Sequence, residues 1–194
     1  GPESSLVSIP ITKASTSTGT GNVLNANVLA SGQTGTAVFS QTHNNTDSFT
    51  LSDFGFNIPS NAVINNITTK VSARRISGVG NGLSQLVYVF DDDNCATYTK
   101  LSNTFGTNFG FFNNMIQTFS NPILTPNFIN NLRWKIFWRN DLADDDTGAF
   151  GQTNDLSTTG VDLNGSENAF SGFFPGIEVN YSIPQIKFRL QQST

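Results

Sequence analysis

Phe54-Gly55-Phe56-Asn57-Ile58-Pro59-Ser60-Asn61-Ala62-Val63-Ile64-Asn65-Asn66-Ile67-Thr68-Thr69-Lys70-Val71-Ser72-Ala73-Arg74-Arg75 joins two alternating segments through a Pro-Ser-Asn turn. Period-two alternation sends successive side chains to opposite faces, so this stretch commits two extended elements to a sheet with one buried face. In the second element Ile67, Thr69, Val71, Ala73 and Arg75 form the inward set. Thr68, Lys70, Ser72 and Arg74 face the other way.

The same grammar extends in both directions. Upstream, Phe49, Leu51, Phe54, Phe56 and Ile58 supply core positions, with a change of parity between Leu51 and Phe54 that marks a bend or bulge. Residues 5–11 read as a first strand, placed at a sheet edge because Pro10 has no N–H for a central ladder. Residues 12–21 read as a Ser/Thr/Gly loop, and 22–30 and 36–41 as strands about a glycine turn at 31–35. Downstream, strands are expected at 83–90, 115–119, 132–138, 173–183 and 186–190. A single helical turn is expected at 124–131, with Thr125 as cap and Pro126 in first helical position. Long connections fall at 91–94, 105–114 and 140–171. Many strands, turn signals between them and no sustained helical period point to an all-β fold, an antiparallel β-sandwich with jelly-roll-like topology. Gly1-Pro2 reads as a tag remnant, and 3–194 as a single β-sandwich domain.

Composition narrows the function. Charged residues are only 12% of the 194, the net charge is −4, and the ten Lys and Arg are scattered. A nucleic-acid partner is therefore not expected. Neither is membrane insertion, since no apolar run reaches the ~18 residues that a helical span requires. The lone Cys95 excludes an internal disulfide, so burial and backbone pairing must hold the fold.

The runs FGFNIPSNAVINNITTKVSARR (54–75), LSQLVYVF (83–90), ILTPNFINNLRWKIFWRN (123–140) and FPGIEVNYSI (174–183) together resemble a β-sandwich module of phage and prophage structural proteins and some bacterial surface proteins. The resemblance covers about 47–183, leaving 3–46 as additional N-terminal strands. Asn65-Asn66 stand where the module usually has a glycine turn, and the acidic stretch after Asn140 is enlarged. The resemblance carries no catalytic residues with it. It implies a structural or attachment role on a virion or a cell surface.

The residues themselves offer little catalysis. A serine triad needs a histidine base, and the only histidine, His43, lies in a polar turn with no Gly-x-Ser-x-Gly elbow elsewhere. Cys95 follows an acidic loop, which disfavours a thiolate. Asp91–Asp93 and Asp144–Asp146 could supply the carboxylate pair of a glycosidase, although surface aspartates ordinarily solvate turns. Asp91, Asp92 and Asp93, with Asp141, Asp144, Asp145 and Asp146, better suit Ca²⁺, which takes several oxygens from flexible loops. Trp134 and Trp138, flanked by Arg133 and Arg139, form either a core stripe or an open platform for stacking sugars. Phe105, Phe109, Phe111 and Phe112 either pin a loop or form a contact between subunits.

The expectation is a non-enzymatic attachment or structural module of a virion, tail-fibre-like, that binds a surface glycan or polymer and acts as a homo-oligomer. The alternative is a carbohydrate-binding or adhesin domain of a large secreted bacterial surface protein, extracellular and in one version Ca²⁺-dependent.

Overall fold

The structure is a computed structural model that describes residues 3–40, 46–76, 84–94, 96–106, 110–139, 160–167 and 173–185. Two antiparallel sheets face each other. The first contains β1 (Glu3–Lys13), β3 (Val23–Leu24), β4 (Thr36–Ser40), β6 (Val63–Arg75), β9 (Asn113–Phe119), β11 (Gly160–Asn164) and β12 (Gly176–Gln185). The second runs in the order β2 (Thr16–Thr20), β5 (Ser48–Ser52), β10 (Arg133–Arg139), β7 (Gln85–Asp91) and β8 (Thr97–Leu101). The chain repeatedly crosses from one sheet to the other, as a jelly-roll-like sandwich requires.

β6 is the strand on which the first sheet is built. Its inward set is buried as the alternation predicts, with Ile67, Val71, Ala73 and Arg75 at 0% exposure and Thr69 at 1%. Along one edge it pairs with β9. Along the other, β12 covers its first part and β11 its last, end to end. The Asn65-Asn66 pair has a structural role here. Asn180 lies opposite Asn66 while Tyr181 lies opposite Ile64, so Asn65 is the extra residue of a bulge. Its amide donates to Ser182 Oγ at 2.8 Å.

In the second sheet, β10 lies between β5 and β7, and its alternation buries Trp134, Ile136 and Trp138 at 0% exposure. Trp134 stacks on Phe90 at 5.6 Å and meets Tyr88 edge-on at 5.1 Å. Phe39 of β4 against Phe49 of β5 (4.8 Å), and Phe90 of β7 against Phe119 of β9 (6.0 Å), lock the two sheets together. Burying one such indole contributes about 5 kcal/mol at the usual ~25 cal/mol per Å² of apolar surface.

The bend expected after Leu51 is present, but residues 53–59 form no strand, so only the second of the two extended elements expected about the Pro-Ser-Asn turn joins a sheet. Asp53 adopts a left-handed φ of 56°, after which Phe54 and Phe56 stack at 5.6 Å and Ile58 is buried. The helical turn also forms as expected: Thr125 Oγ1 accepts from Phe128 N at 3.2 Å, and Pro126 opens α1 (Pro126–Asn130).

The N-terminal expectations need correction. Thr16–Thr20, read as loop, is a strand paired with β5, and its Thr-Ser-Thr-Gly-Thr sequence has no apolar alternation to announce it. Residues 22–30, read as one strand, contain only the short β3 followed by a 3-10 turn, Ala26–Leu29. β8 and β11 were also missed, the latter inside the presumed 140–171 loop. The strand expected at 186–190 lies outside the described residues.

Where β11 gives way to β12, Lys13 ties the structure together. Its ammonium donates to the carbonyls of Gly165 (2.6 Å), Gln33 (2.8 Å) and Val28 (3.2 Å), with Glu167 at 3.8 Å. Gly165 permits this convergence, because a Cβ there would lie 2.4 Å from Val28 O.

Candidate ligand-binding cleft

The ends of three neighbouring strands of the second sheet, β5, β10 and β7, meet at one rim. Ser52 and Asp53 come from the end of β5, Asp93 from the turn after β7, and Asn130, Asn131, Leu132 and Arg133 from the passage of α1 into β10. They line a polar cleft of about 230 Å³.

Each wall has an identifiable cause. Asp53 is held by Ser15 N, which donates to its carbonyl at 3.0 Å, and by Thr16 Oγ1, which donates to Oδ2 at 2.9 Å. A left-handed conformation is costly for a residue with a Cβ, though Asp tolerates it better than most. Asn130 clamps the backbone of Ile58, accepting from N at 2.8 Å and donating to O at 3.0 Å. That clamp fixes the end of α1 against the Phe-Gly-Phe segment. Asn131 Nδ2 donates back to Asn127 O at 2.9 Å and to Asn127 Oδ1 at 3.3 Å.

Arg133 is engaged on several sides. Nε donates to Asp91 Oδ1 at 2.7 Å, Nη2 donates to Asp92 O at 3.3 Å, and Nη1 lies 3.9 Å from Asp93 Oδ1. Lys135 Nζ approaches the other Asp91 oxygen at 3.6 Å.

The expected site residues are thus dispersed. Arg133 and Asp93 belong to the cleft. Trp134 and Trp138 do not form a sugar platform: both are at 0% exposure, and Trp138 Nε1 donates to the buried Ser84 Oγ at 3.1 Å. Strand parity had identified a shared face, and the opposing sheet covers it. Asp91, Asp92 and Asp93 do not converge on a common point either. Asp91 is neutralised by Arg133 and Lys135, and Asp92 Oδ1 caps the backbone N–H groups of Asn94 (3.0 Å) and Ala96 (3.2 Å). No cluster of three His, Cys, Asp or Glu suited to a metal occurs among the described residues. Asp141, Asp144, Asp145, Asp146, His43, Cys95 and the side chain of Arg139 lie outside the described residues.

The phenylalanines divide. Phe105 is buried at 1% exposure, as a loop pin would be, whereas Phe111 is 70% exposed. Phe112 lies beneath the Arg74 guanidinium at 4.4 Å. Phe109 lies outside the described residues.

Sequence reading missed Ser52, Asp53, Asn130 and Asn131. Two local signals bore on them, the parity change after Leu51 and the end of the Thr-Pro helical turn. Neither says that the two places meet in space.

No family model matches the chain, and no curated protein matches it. Among solved structures, the chain is similar to the CBM22-1–GH10 modules of Clostridium thermocellum endo-1,4-β-D-xylanase 10B, solved with xylohexaose. The identity is 9% and the TM-score 0.46, over 94% of this chain and 28% of that one. At that distance the likeness carries no argument about ligand or activity.

Proposed function

We propose that this chain is a non-enzymatic glycan-binding module whose ligand enters the cleft between Asp53, Asn131, Asp93 and Arg133. One observation carries the reading: hydroxyl, amide, carboxylate and guanidinium groups converge on about 230 Å³, room for one sugar ring. Paired carboxylates and amides suit the vicinal hydroxyls of a pyranose. Catalysis fits the site poorly. A general acid in a glycosidase stands in apolar enclosure, whereas Asp53 is exposed and the Asp93 side chain is 74% exposed.

A cleft this open binds weakly, so useful affinity comes from several copies acting together, as in a homo-oligomer or a larger assembly. The motif resemblance supports a parent on a virion or on a bacterial surface, and the cleft serves attachment equally in both.

The test is a glycan array followed by titration calorimetry on wild type, Asn131→Ala and Asp93→Ala. Binding of at least one oligosaccharide, weakened about tenfold or more by either substitution, is the expected result. A wild-type chain that binds nothing on the array, or affinity unchanged in both variants, overturns the reading.

A further inference from the structure

Within the glycan-binding reading, on which this rests, we infer that the cleft selects sugars bearing a free amine and rejects acidic ones. The polar groups of the wall differ in how far the protein already engages them. The Asn130 amide is used at both ends by Ile58, and Asn131 Nδ2 is used by Asn127. Arg133 directs Nε and Nη2 to Asp91 and the Asp92 carbonyl. Each side-chain nitrogen of the cleft wall thus already bonds to a protein oxygen or, for Arg133 Nη1, faces one at 3.9 Å.

Its carboxylates are less engaged. Asp53 is exposed and gives one oxygen to Thr16, and the Asp93 side chain is 74% exposed with Arg133 Nη1 at 3.9 Å. Charge points the same way. Asp53 and Asp93 against Arg133 leave the lining residues one negative charge in excess, and the neighbouring Asp91 already draws on Arg133 and Lys135.

A ligand that completes this surface supplies N–H and O–H groups and positive charge. An amino sugar with a protonated amine does so. A uronic acid or sulfated sugar keeps its hydroxyls but adds negative charge to an already negative lining, and an N-acetylated sugar replaces the ammonium by a neutral amide.

The test compares short β-1,4-linked oligomers of glucosamine, N-acetylglucosamine and galacturonic acid at mildly acid pH, where the glucosamine amine is charged. Titration calorimetry is run on wild type and on the isosteric Asp53→Asn/Asp93→Asn double variant, whose melting curve verifies its fold. Wild type is expected to bind the glucosamine oligomer about fivefold more tightly than the N-acetylated one, the scale of one exposed ion pair. That preference shrinks at high salt and vanishes in the double variant. Galacturonate does not bind.

Equal or tighter binding of galacturonate, or a preference that the double variant retains, overturns the inference. Binding of the N-acetylated oligomer without any preference for the amine also overturns it, yet leaves the glycan-binding reading standing. If none of these oligomers nor any array glycan binds, both are overturned.

Discussion

Lys13 illustrates how a single side chain can substitute for missing backbone pairing. Its ammonium satisfies three carbonyls drawn from the 3-10 turn, the residues after it and the end of β11. Lys13→Met keeps most of the length of the side chain and removes every donor, leaving those acceptors unmet. The expected cost is about 3 kcal/mol, read as a lower midpoint in urea with unchanged slope. Burial pulls the Lys13 pKa below its ordinary 10.5, with Glu167 opposing. The native chain therefore binds this proton less tightly than the unfolded chain, and unfolding takes up protons between the depressed value and 10.5. Stability from this group rises with pH across that window, and Lys13→Met abolishes the rise; an identical pH dependence in wild type and variant would refute the assignment. Tyr88 is the opposite case. Its hydroxyl is buried with no hydrogen-bond partner, and burial pushes the phenol well above its ordinary 10.0. Tyr88→Phe removes a desolvated group at no loss of bonding, so thermal melting is expected to show a gain of about 1 kcal/mol rather than a loss. Neither residue was legible in the sequence. Alternation names the faces of a strand, but which face is covered, and by what, depends on a sheet formed by distant residues. Trp134 and Trp138 were left open between core and platform for the same reason.

At the scale of elements, legibility follows the range of the forces involved. The Thr125-Pro126 turn was readable because its cap, its proline and its missing donor all lie within a few residues. The β6 face was readable because the residues from Ile67 to Arg75 alternate without a break beyond the Asn65 bulge. β2 was not, because a strand of hydroxyls and glycine is held by its pairing with β5 and has no apolar alternation of its own. The cleft shares that difficulty, since it exists only because β5, β10 and β7 are neighbours in the second sheet. Its weakest link is the Asn130 clamp on Ile58, which fixes where α1 ends and β10 begins. Asn130→Ala frees both backbone groups of Ile58 and is expected to cost about 2 kcal/mol. It should also weaken ligand binding several-fold through displacement of Asn131 and Arg133. Asn130→Asp retains the acceptor for Ile58 N but sets a carboxylate oxygen against Ile58 O in place of the donor, so melting should place it no higher than Asn130→Ala. An Asn130→Ala chain with unchanged stability and affinity would show that the clamp positions nothing.

At the scale of the whole molecule, the N-terminal residues are threaded through both sheets, although the motif resemblance begins only at about residue 47. β1 runs along β12 from Glu3 opposite Gln185 to Lys13 opposite Gly176, β2 borders β5, and β4 pairs with β11. Phe39 closes on Phe49 across the sandwich, and Ala14, Leu29 and Ala37 join the same buried cluster. Removing residues 1–46 opens the edges of β12, β11 and β5 together and takes several fully buried side chains from the core. Truncating even one large core residue costs about 3 to 5 kcal/mol, so losing Phe39 and Leu29 alone matches the roughly 5 to 15 kcal/mol that holds a domain folded. Residues 47–194 expressed alone are therefore expected to show no cooperative melt and no dispersed amide resonances. Adding a peptide of residues 3–40 in excess should recover both, since its β1, β2 and β4 segments can return to their edges. A truncated chain that melts sharply within a few degrees of the full one would mean that the sandwich closes without its first strands, and that β1, β2 and β4 decorate a core already complete.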